Sequence, residues 1–180
     1  MKIQDVFQPK DAPEIMNAII EIPKDSVVKY EFCEDTGTLV VSRIMQTPMM
    51  YPGNYGFFPE TLGEDGDPLD CLVISSASLI PGALISVRPI GVLLQQDQSG
   101  GDQKVICVPT EKIDSFYKNV KTLSELPEIE KKKIEYFFQH YKDLEPESWS
   151  KVAGFEDEVA AKGYIMVAIK KYQNHKNNSQ

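Results

Sequence analysis

The sequence predicts an α+β fold that is mainly β, with a small barrel or curled antiparallel sheet covered by two helices. Strand-like alternation fills the middle of the chain, helical spacing appears near its end, and no internal repeat or low-complexity segment is found. Strands followed by helices are typical of α+β proteins. With 180 residues, of which 42% are hydrophobic, the chain is expected to form a single domain over residues 1–180.

The strands are predicted from apolar and polar residues that alternate between turn residues. "VVKYEFC" (27–33) and "TLVVSRIM" (38–45) flank "EDTG" and predict a hairpin. Further strands are expected at about 70–75, 83–94 and 104–108. In the second hairpin strand, Arg43 shares a face with Leu39 and Val41. A guanidinium in such a position needs either an anionic partner or the solvated end of the strand.

Two helices are predicted from apolar residues that recur at intervals of three and four. The first begins near Pro127 and Glu128, and its apolar stripe is Ile134, Phe137, Phe138 and Tyr141. The stripe of the second is Ala161, Tyr164, Ile165, Ala168, Ile169 and Tyr172. The tail that follows, about residues 174–180, is expected to be frayed.

Composition and charge argue against several kinds of partner. The formal net charge of -8 argues against nucleic acid, whose phosphates are usually met by a basic surface. A small phosphorylated ligand remains compatible, because bound metal ions can reverse the local sign of the charge. The chain begins without the apolar segment of a signal peptide and has no apolar run near the roughly 20 residues that span a bilayer. A cytoplasmic protein with no membrane partner is therefore expected, with Cys33, Cys71 and Cys107 as reduced, buried thiols.

The segment "GEDGDPLDCLVI" (63–74) places three aspartates at the start of an apolar strand. Asp65, Asp67 and Asp70 repel one another and lose hydration near a core, so they predict a bound cation. The pattern does not fit an EF-hand loop. Counted from Asp65 as the first position, the fifth is Leu69 rather than a metal ligand and the sixth is Asp70 rather than a glycine. Taken alone, the cluster would be interpreted as solvated acids of a turn.

A second acidic pair strengthens the interpretation as a metal site. Asp97 and Asp102 lie on opposite arms of a predicted hairpin tip, where cross-strand Cβ atoms are about 5 Å apart. This pair alone would be interpreted as a polar hairpin tip. Five acids on two loops at strand ends favour several Mg²⁺ ions, which prefer oxygen ligands and retain waters. Zinc is disfavoured, because the chain has only two histidines and its cysteines are scattered.

Basic and phenolic side chains near these motifs are candidate phosphate ligands. Lys29, Arg43, Lys104 and Lys142 each lie near a motif, and two tyrosines bracket "YPGNYG" (51–56), whose residues favour a tight backbone. For Lys142 the alternative is a cation that complements a helix dipole. For Tyr141 the alternative is packing in the core, because it belongs to the apolar stripe.

Several segments together resemble the family I soluble inorganic pyrophosphatases of bacterial type. "EIPKDSVVKYE", "RIMQTPMMYPGNYGFFPETLGEDGDPLDCLV", "PGALISVRPIGVL", "GGDQK" and "FFQHYKDLE" match in order and spacing, and "EDGDPLDCLV" contains the signature D-G-D-P-x-D. The resemblance implies a five-stranded, OB-like closed β-barrel flanked by two α-helices, assembled as a homohexamer. It also implies hydrolysis of inorganic pyrophosphate to two phosphates by a water activated on several Mg²⁺ ions.

The resemblance also implies a role for each candidate residue. Asp65, Asp70 and Asp102 would bind the first metal, with Asp70 bridging to a second. Asp97 and Asp102, with Glu31 nearby, would serve the metals that arrive with substrate, and Glu21 would support the site through water. Asp67 would accept the proton of the attacking water. The phosphates would be held by Lys29, Arg43, Tyr55, Lys104, Tyr141 and Lys142.

Three positions depart from the family pattern, and two other functions remain open. Gln98 replaces an acid common after Asp97, Ser42 replaces an aspartate common before Arg43, and Tyr136 replaces a histidine found near the subunit contact in some hexameric relatives. One alternative is a metal-dependent phosphohydrolase of organic diphosphates. The other is a non-catalytic OB-like module that binds an oligonucleotide or a metal.

Overall fold

A computed structural model describes residues 6–33, 36–98 and 100–178 of the chain. The strands are β1 (Met16–Ile22), β2 (Val28–Cys33), β3 (Thr38–Ile44), β4 (Asn54–Phe57), β5 (Asp70–Val73), β6 (Leu84–Asp97), β7 (Gly100–Gly101), β8 (Lys104–Pro109) and β9 (Ser150–Glu156). The helices are α1 (Glu128–His140) and α2 (Glu158–Asn178). The predicted fold class, mainly β with two α-helices, is confirmed for the described part of the chain.

The strand pairings of the main sheet form a ring. Strand β1 pairs antiparallel with both β4 and β6. From β4 the ring continues antiparallel to β5, parallel to β8 and antiparallel to β6. The long strand β6 also pairs with β7 and β9, and its register shifts near Gly91 and Gln95 let it follow the curvature of the ring. Strands β2 and β3 form a separate two-stranded sheet.

Side chains on the two faces of the ring strands pack into two apolar clusters. In β5 and β8, Leu72 and Ile106 belong to the cluster that contains α1, whereas Cys71 and Val105 belong to the cluster that contains α2. This alternation follows the two-residue period of a strand. Helix α1 buries Ile134, Phe137 and Phe138 of its predicted stripe, and α2 buries Ala161, Ile165 and Ala168. The other residues predicted for the stripe of α2, Tyr164, Ile169 and Tyr172, are only partly buried.

Strand β4 approaches β1 closely because residue 56 is a glycine. A Cβ atom at Gly56 would lie 1.9 Å from the carbonyl oxygen of Ile19. Any larger residue would push the two strands apart. This approach fixes Tyr55, which lies next to Gly56, relative to the ring.

The predictions of a frayed tail and of buried cysteines can be compared with the structure. Helix α2 extends to Asn178, so residues 174–178 are helical where a frayed tail was predicted, and residues 179–180 lie outside the described part. The side chains of Cys71 and Cys107 are buried, as predicted, whereas Cys33 is only partly buried. Among the described residues, neither helix is apolar over enough length to cross a membrane.

Candidate active site

All thirteen residues predicted for the site line one cavity of about 550 Å³. The two-stranded sheet, the ends of β5, β6 and β8, and the turn after α1 each contribute to it. The predicted residues in its wall are Glu21, Lys29, Glu31, Arg43, Tyr55, Asp65, Asp67, Asp70, Asp97, Asp102, Lys104, Tyr141 and Lys142. Their placement is thus as predicted, while their individual roles stay predictions.

The first acids of the cavity lie in a tight turn before β5. Gly66 has a φ of +97°, a left-handed conformation that other residues rarely adopt. The backbone N–H of Asp67 donates to a carboxylate oxygen of Asp65 at 3.1 Å, and the N–H of Gly63 donates to the carbonyl of Asp67 at 2.7 Å. Burial raises the pKa of Asp67, and the nearby charges of Asp65 and Asp70 raise it further.

At the start of β5, Asp70 receives two hydrogen bonds on the same oxygen. The hydroxyl of Tyr55 and the ammonium of Lys104 each donate to its Oδ2 atom at 2.5 Å. The same ammonium also donates to Asp102. Burial alone would lower the pKa of Lys104, but the two carboxylates raise it above its ordinary value. Lys104 therefore holds Asp70 and Asp102 together as a fully charged cation.

The turn after α1 contributes a phenol and a second buried cation. The ammonium of Lys142 lies 2.8 Å from Oδ2 of Asp97, and both side chains are nearly buried. Beside it, the amide nitrogen of Gln95 lies 3.4 Å from the hydroxyl of Tyr141 and donates to Ser150 at 3.0 Å. For Tyr141 the two interpretations combine, because its side chain packs in the core and also lines the cavity.

Three acidic and basic groups lie where β1 meets the two-stranded sheet. The carboxylate of Glu21 accepts the N–H of Phe32 at 2.7 Å, and the ammonium of Lys29 donates to Glu31 at 2.6 Å. Burial raises the pKa of Glu21 to about 7, although the hydrogen bond from Phe32 opposes the change. Burial also acts to raise the pKa of Glu31, but the hydrogen bond and charge of Lys29 lower it overall. Glu21 is therefore partly protonated near neutral pH, whereas Glu31 is ionised.

The anionic partner expected for Arg43 is Glu145, in the segment after α1. One guanidinium nitrogen of Arg43 lies 2.9 Å from a carboxylate oxygen of Glu145. On β3, Arg43 pairs with Lys29 while Val41 pairs with Tyr30, so Ser42 forms a bulge that interrupts the predicted alternation. Ser42 itself donates a hydrogen bond to Glu31, which helps to lower that pKa.

The acidic side chains of the cavity are chemically suited to bind hard divalent cations. Seven carboxylates and four basic side chains line it, and its acidic ligands offer only oxygen atoms, which Mg²⁺ prefers. Among the residues that the structure describes, no three acidic, histidine or cysteine side chains are already grouped so that they could hold a metal ion. The ammonium groups of Lys104 and Lys142 instead contact the carboxylates of Asp70, Asp102 and Asp97.

Two further residues of this region were given no role from the sequence. Tyr51 lines the cavity, and its ring packs 5.5 Å from that of Tyr55 and 4.8 Å from that of Phe137. It was visible only as the first residue of the "YPGNYG" turn. Glu145 is the second, and its position within "FFQHYKDLE" was its only signal. Gln98, noted as a departure, also lines the cavity.

Comparison with known proteins gives the cavity a family context. The family model described as Inorganic pyrophosphatase matches residues 18–173. The chain belongs to the inorganic pyrophosphatase family. Its sequence is 49% identical to the inorganic pyrophosphatase of Gluconobacter oxydans over 169 residues, which cover 94% of this chain and 98% of that protein.

Solved structures of the family are similar in fold. The inorganic pyrophosphatase of Thermus thermophilus has a TM-score of 0.92 and 39% identity, over 96% of this chain and 99% of that one. A truncated vacuolar soluble pyrophosphatase of Trypanosoma cruzi, solved in complex with PPi, has a TM-score of 0.78 and 25% identity, over 96% of this chain and 75% of that one. The family predicted from the sequence is therefore confirmed.

Proposed function

We propose that the protein hydrolyses inorganic pyrophosphate to two phosphates with the help of Mg²⁺ ions. The observation that carries the proposal is the convergence of all thirteen predicted residues on one cavity. Family membership supports the reaction, and the relative from Trypanosoma cruzi was solved with PPi. We also infer that the five-strand ring is the OB-like closed barrel implied by the resemblance.

In this proposal the carboxylates divide between metal binding and proton transfer. Asp65, Asp70 and Asp102 would hold the first metal, and Asp70 would also hold a second. Asp97 and Glu31, with Asp102, serve the ions that enter with substrate, and Glu21 supports them through water. When bound, the ions neutralise phosphate oxygens and make water more acidic.

The side chains of this protein carry the remaining steps. The oxygen of water forms a bond to one phosphorus while the bond from that phosphorus to the bridging oxygen breaks, and Asp67 accepts the water proton. The raised pKa of Asp67 makes it a better proton acceptor than an ordinary aspartate. The basic groups Lys29, Arg43, Lys104 and Lys142, with the hydroxyls of Tyr55 and Tyr141, hold the phosphates and stabilise the charge on the leaving group.

Phosphate release from pyrophosphate tests the proposal. The purified protein should release phosphate with Mg²⁺, lose the activity in excess chelator, and regain it when Mg²⁺ is restored. Ca²⁺ should support the reaction poorly, because its larger and looser coordination shell misplaces the reacting groups. Turnover that persists in excess chelator would contradict the metal dependence. Rapid release from organic diphosphates would favour the related phosphohydrolase, and binding without release would favour the OB-like module.

We further propose that the protein is a homohexamer, as the resemblance implies, and that it is cytoplasmic. The exposed ring of Tyr136 packs 4.4 Å from that of His140, at the position where some hexameric relatives carry a histidine. Analytical ultracentrifugation of the protein should give a molar mass near six times that of the chain. A mass that stays at the monomer value across concentration would contradict the hexamer.

A further inference from the structure

The phosphate-binding groups of the cavity are carried by two separate parts of the fold. Lys29 and Arg43 lie opposite each other on β2 and β3, which form a two-stranded sheet separate from the main sheet. Tyr141 and Lys142 lie in the turn after α1. If both parts bind the same pyrophosphate, their positions relative to each other must be fixed.

The ion pair of Arg43 and Glu145 joins these two parts. The Arg43 side chain lines the cavity and is 31% exposed, whereas the Glu145 side chain is 9% exposed and does not line it. Glu145 also belongs to the turn of the other cations, since its backbone N–H donates to the carbonyl of Lys142 at 2.9 Å. Glu145 therefore contacts Arg43 from behind, away from the space available to a substrate.

The geometry of this pair is poor for stability alone. The Nε atom of Arg43 and the Oε1 atom of Glu145 are both buried, and neither has a hydrogen-bond partner among the residues that the structure describes. A single contact that leaves buried polar atoms unpaired recovers little of the cost of desolvating two charges. A single contact does leave most of the five guanidinium N–H donors of Arg43 unused by Glu145.

We propose that Glu145 is a positioning residue that holds the Arg43 guanidinium in a fixed position relative to Lys142, so that both can bind pyrophosphate. This inference rests on the proposed function of the cavity. Orientation and simple charge predict opposite changes in pyrophosphate binding when the charge of Glu145 is removed. Removing an anion beside Arg43 should strengthen attraction for phosphate if charge alone mattered, but should weaken the grip if orientation matters.

The test is steady-state pyrophosphate hydrolysis by Glu145→Gln, which keeps the size of the side chain and removes its charge. We expect kcat/KM to fall about tenfold, a typical coupling between contacting charged groups. The matched control is Glu147→Gln, which removes the same charge from an exposed residue of the same segment and should leave kcat/KM unchanged. Thermal unfolding of each variant would separate loss of folding from loss of positioning.

A double-mutant cycle makes the assignment specific to Arg43. In an Arg43→Ala background, Glu145→Gln should leave kcat/KM unchanged or raise it slightly, because only an anion near the substrate is then removed. An active wild type whose Glu145→Gln variant keeps its kcat/KM, or loses it equally in both backgrounds, would overturn this inference alone. A wild type that releases no phosphate from pyrophosphate would overturn the proposed function and this inference together.

Discussion

Replacing Glu21 by glutamine is expected to stabilise the metal-free protein at pH 8. Glu21 is mostly buried, its carboxylate accepts the N–H of Phe32, and burial raises its pKa from 4.5 to about 7. A carboxyl group with a raised pKa in the folded state binds a proton more tightly there than in the unfolded chain. Its contribution to stability is therefore lost as pH rises from 4.5 to about 7, and the ionised group then destabilises the fold.

The magnitude follows from the two pKa values. Each pKa unit corresponds to about 1.36 kcal/mol, so an ionised Glu21 costs about 3 kcal/mol of folding free energy at pH 8. At pH 5 the folded-state group is protonated, and the same linkage gives a cost of about 1 kcal/mol or less. Glutamine is neutral at both values and retains an oxygen that can accept the N–H of Phe32. The gain from Glu21→Gln should therefore be large at pH 8 and small at pH 5.

Urea unfolding in excess chelator at both pH values measures this difference. Wild type, Glu21→Gln and the exposed control Glu147→Gln should be compared at each pH, with the free energy of unfolding taken from the midpoint and slope. The control should show no comparable dependence on pH. An equal gain from Glu21→Gln at pH 5 and pH 8, or a loss at pH 8, would refute the reasoning that Glu21 is strained by ionisation.

Four further substitutions test other parts of the molecule. Arg43→Lys keeps the charge but loses the planar fork, so kcat/KM for pyrophosphate should fall by about tenfold or more, and wild-type kinetics would return Arg43 to a structural role. Asp70→Asn should lose Mg²⁺ affinity and activity together, whereas Asp67→Asn should keep the first metal and lose about 10²–10⁴-fold in rate at saturating Mg²⁺. Calorimetric Mg²⁺ titration, together with the kinetics, measures both effects. If Asp67→Asn lost Mg²⁺ affinity as severely as Asp70→Asn, the division between metal binding by Asp70 and proton transfer by Asp67 would be contradicted. Gly56→Ala should destabilise the fold by about 3 kcal/mol or more, because its Cβ would meet a carbonyl of β1, and an unchanged unfolding midpoint would refute that contact.

The parts of the fold that sequence reasoning predicted are those with a clear periodic pattern. Both helices have one buried and one exposed face, so polar residues mark their period. In the hairpin of β2 and β3, polar and apolar residues alternate on either side of a turn, although none of its residues is fully buried. Strand β1 was missed because it is buried nearly throughout its length, and a strand buried on both faces shows no alternation. Strand β4 was missed because its sequence, "NYGF", contains residues that also favour turns.

The residues of the candidate site could be proposed from the sequence because they lie in recognisable motifs, and the structure places them around one cavity. The pairings between those motifs could not be predicted in the same way. Arg43 finds its anion in Glu145 and Lys142 finds its anion in Asp97, and each pair joins segments that are distant in the sequence. Such contacts depend on how the ring, the hairpin and α1 come together, which no local pattern encodes.

The balance of charge in the cavity links the proposed substrate to the proposed cations. With all groups ionised, seven carboxylates face four basic side chains, so the cavity has a formal excess of three negative charges. The two most buried cations, Lys104 and Lys142, are already engaged by Asp70, Asp102 and Asp97. Pyrophosphate is itself highly anionic and would be repelled from such a cavity. Divalent cations therefore have to reverse the local sign before the basic groups can hold phosphate. On this reasoning, chelation abolishes not only the chemical step but also the binding of pyrophosphate.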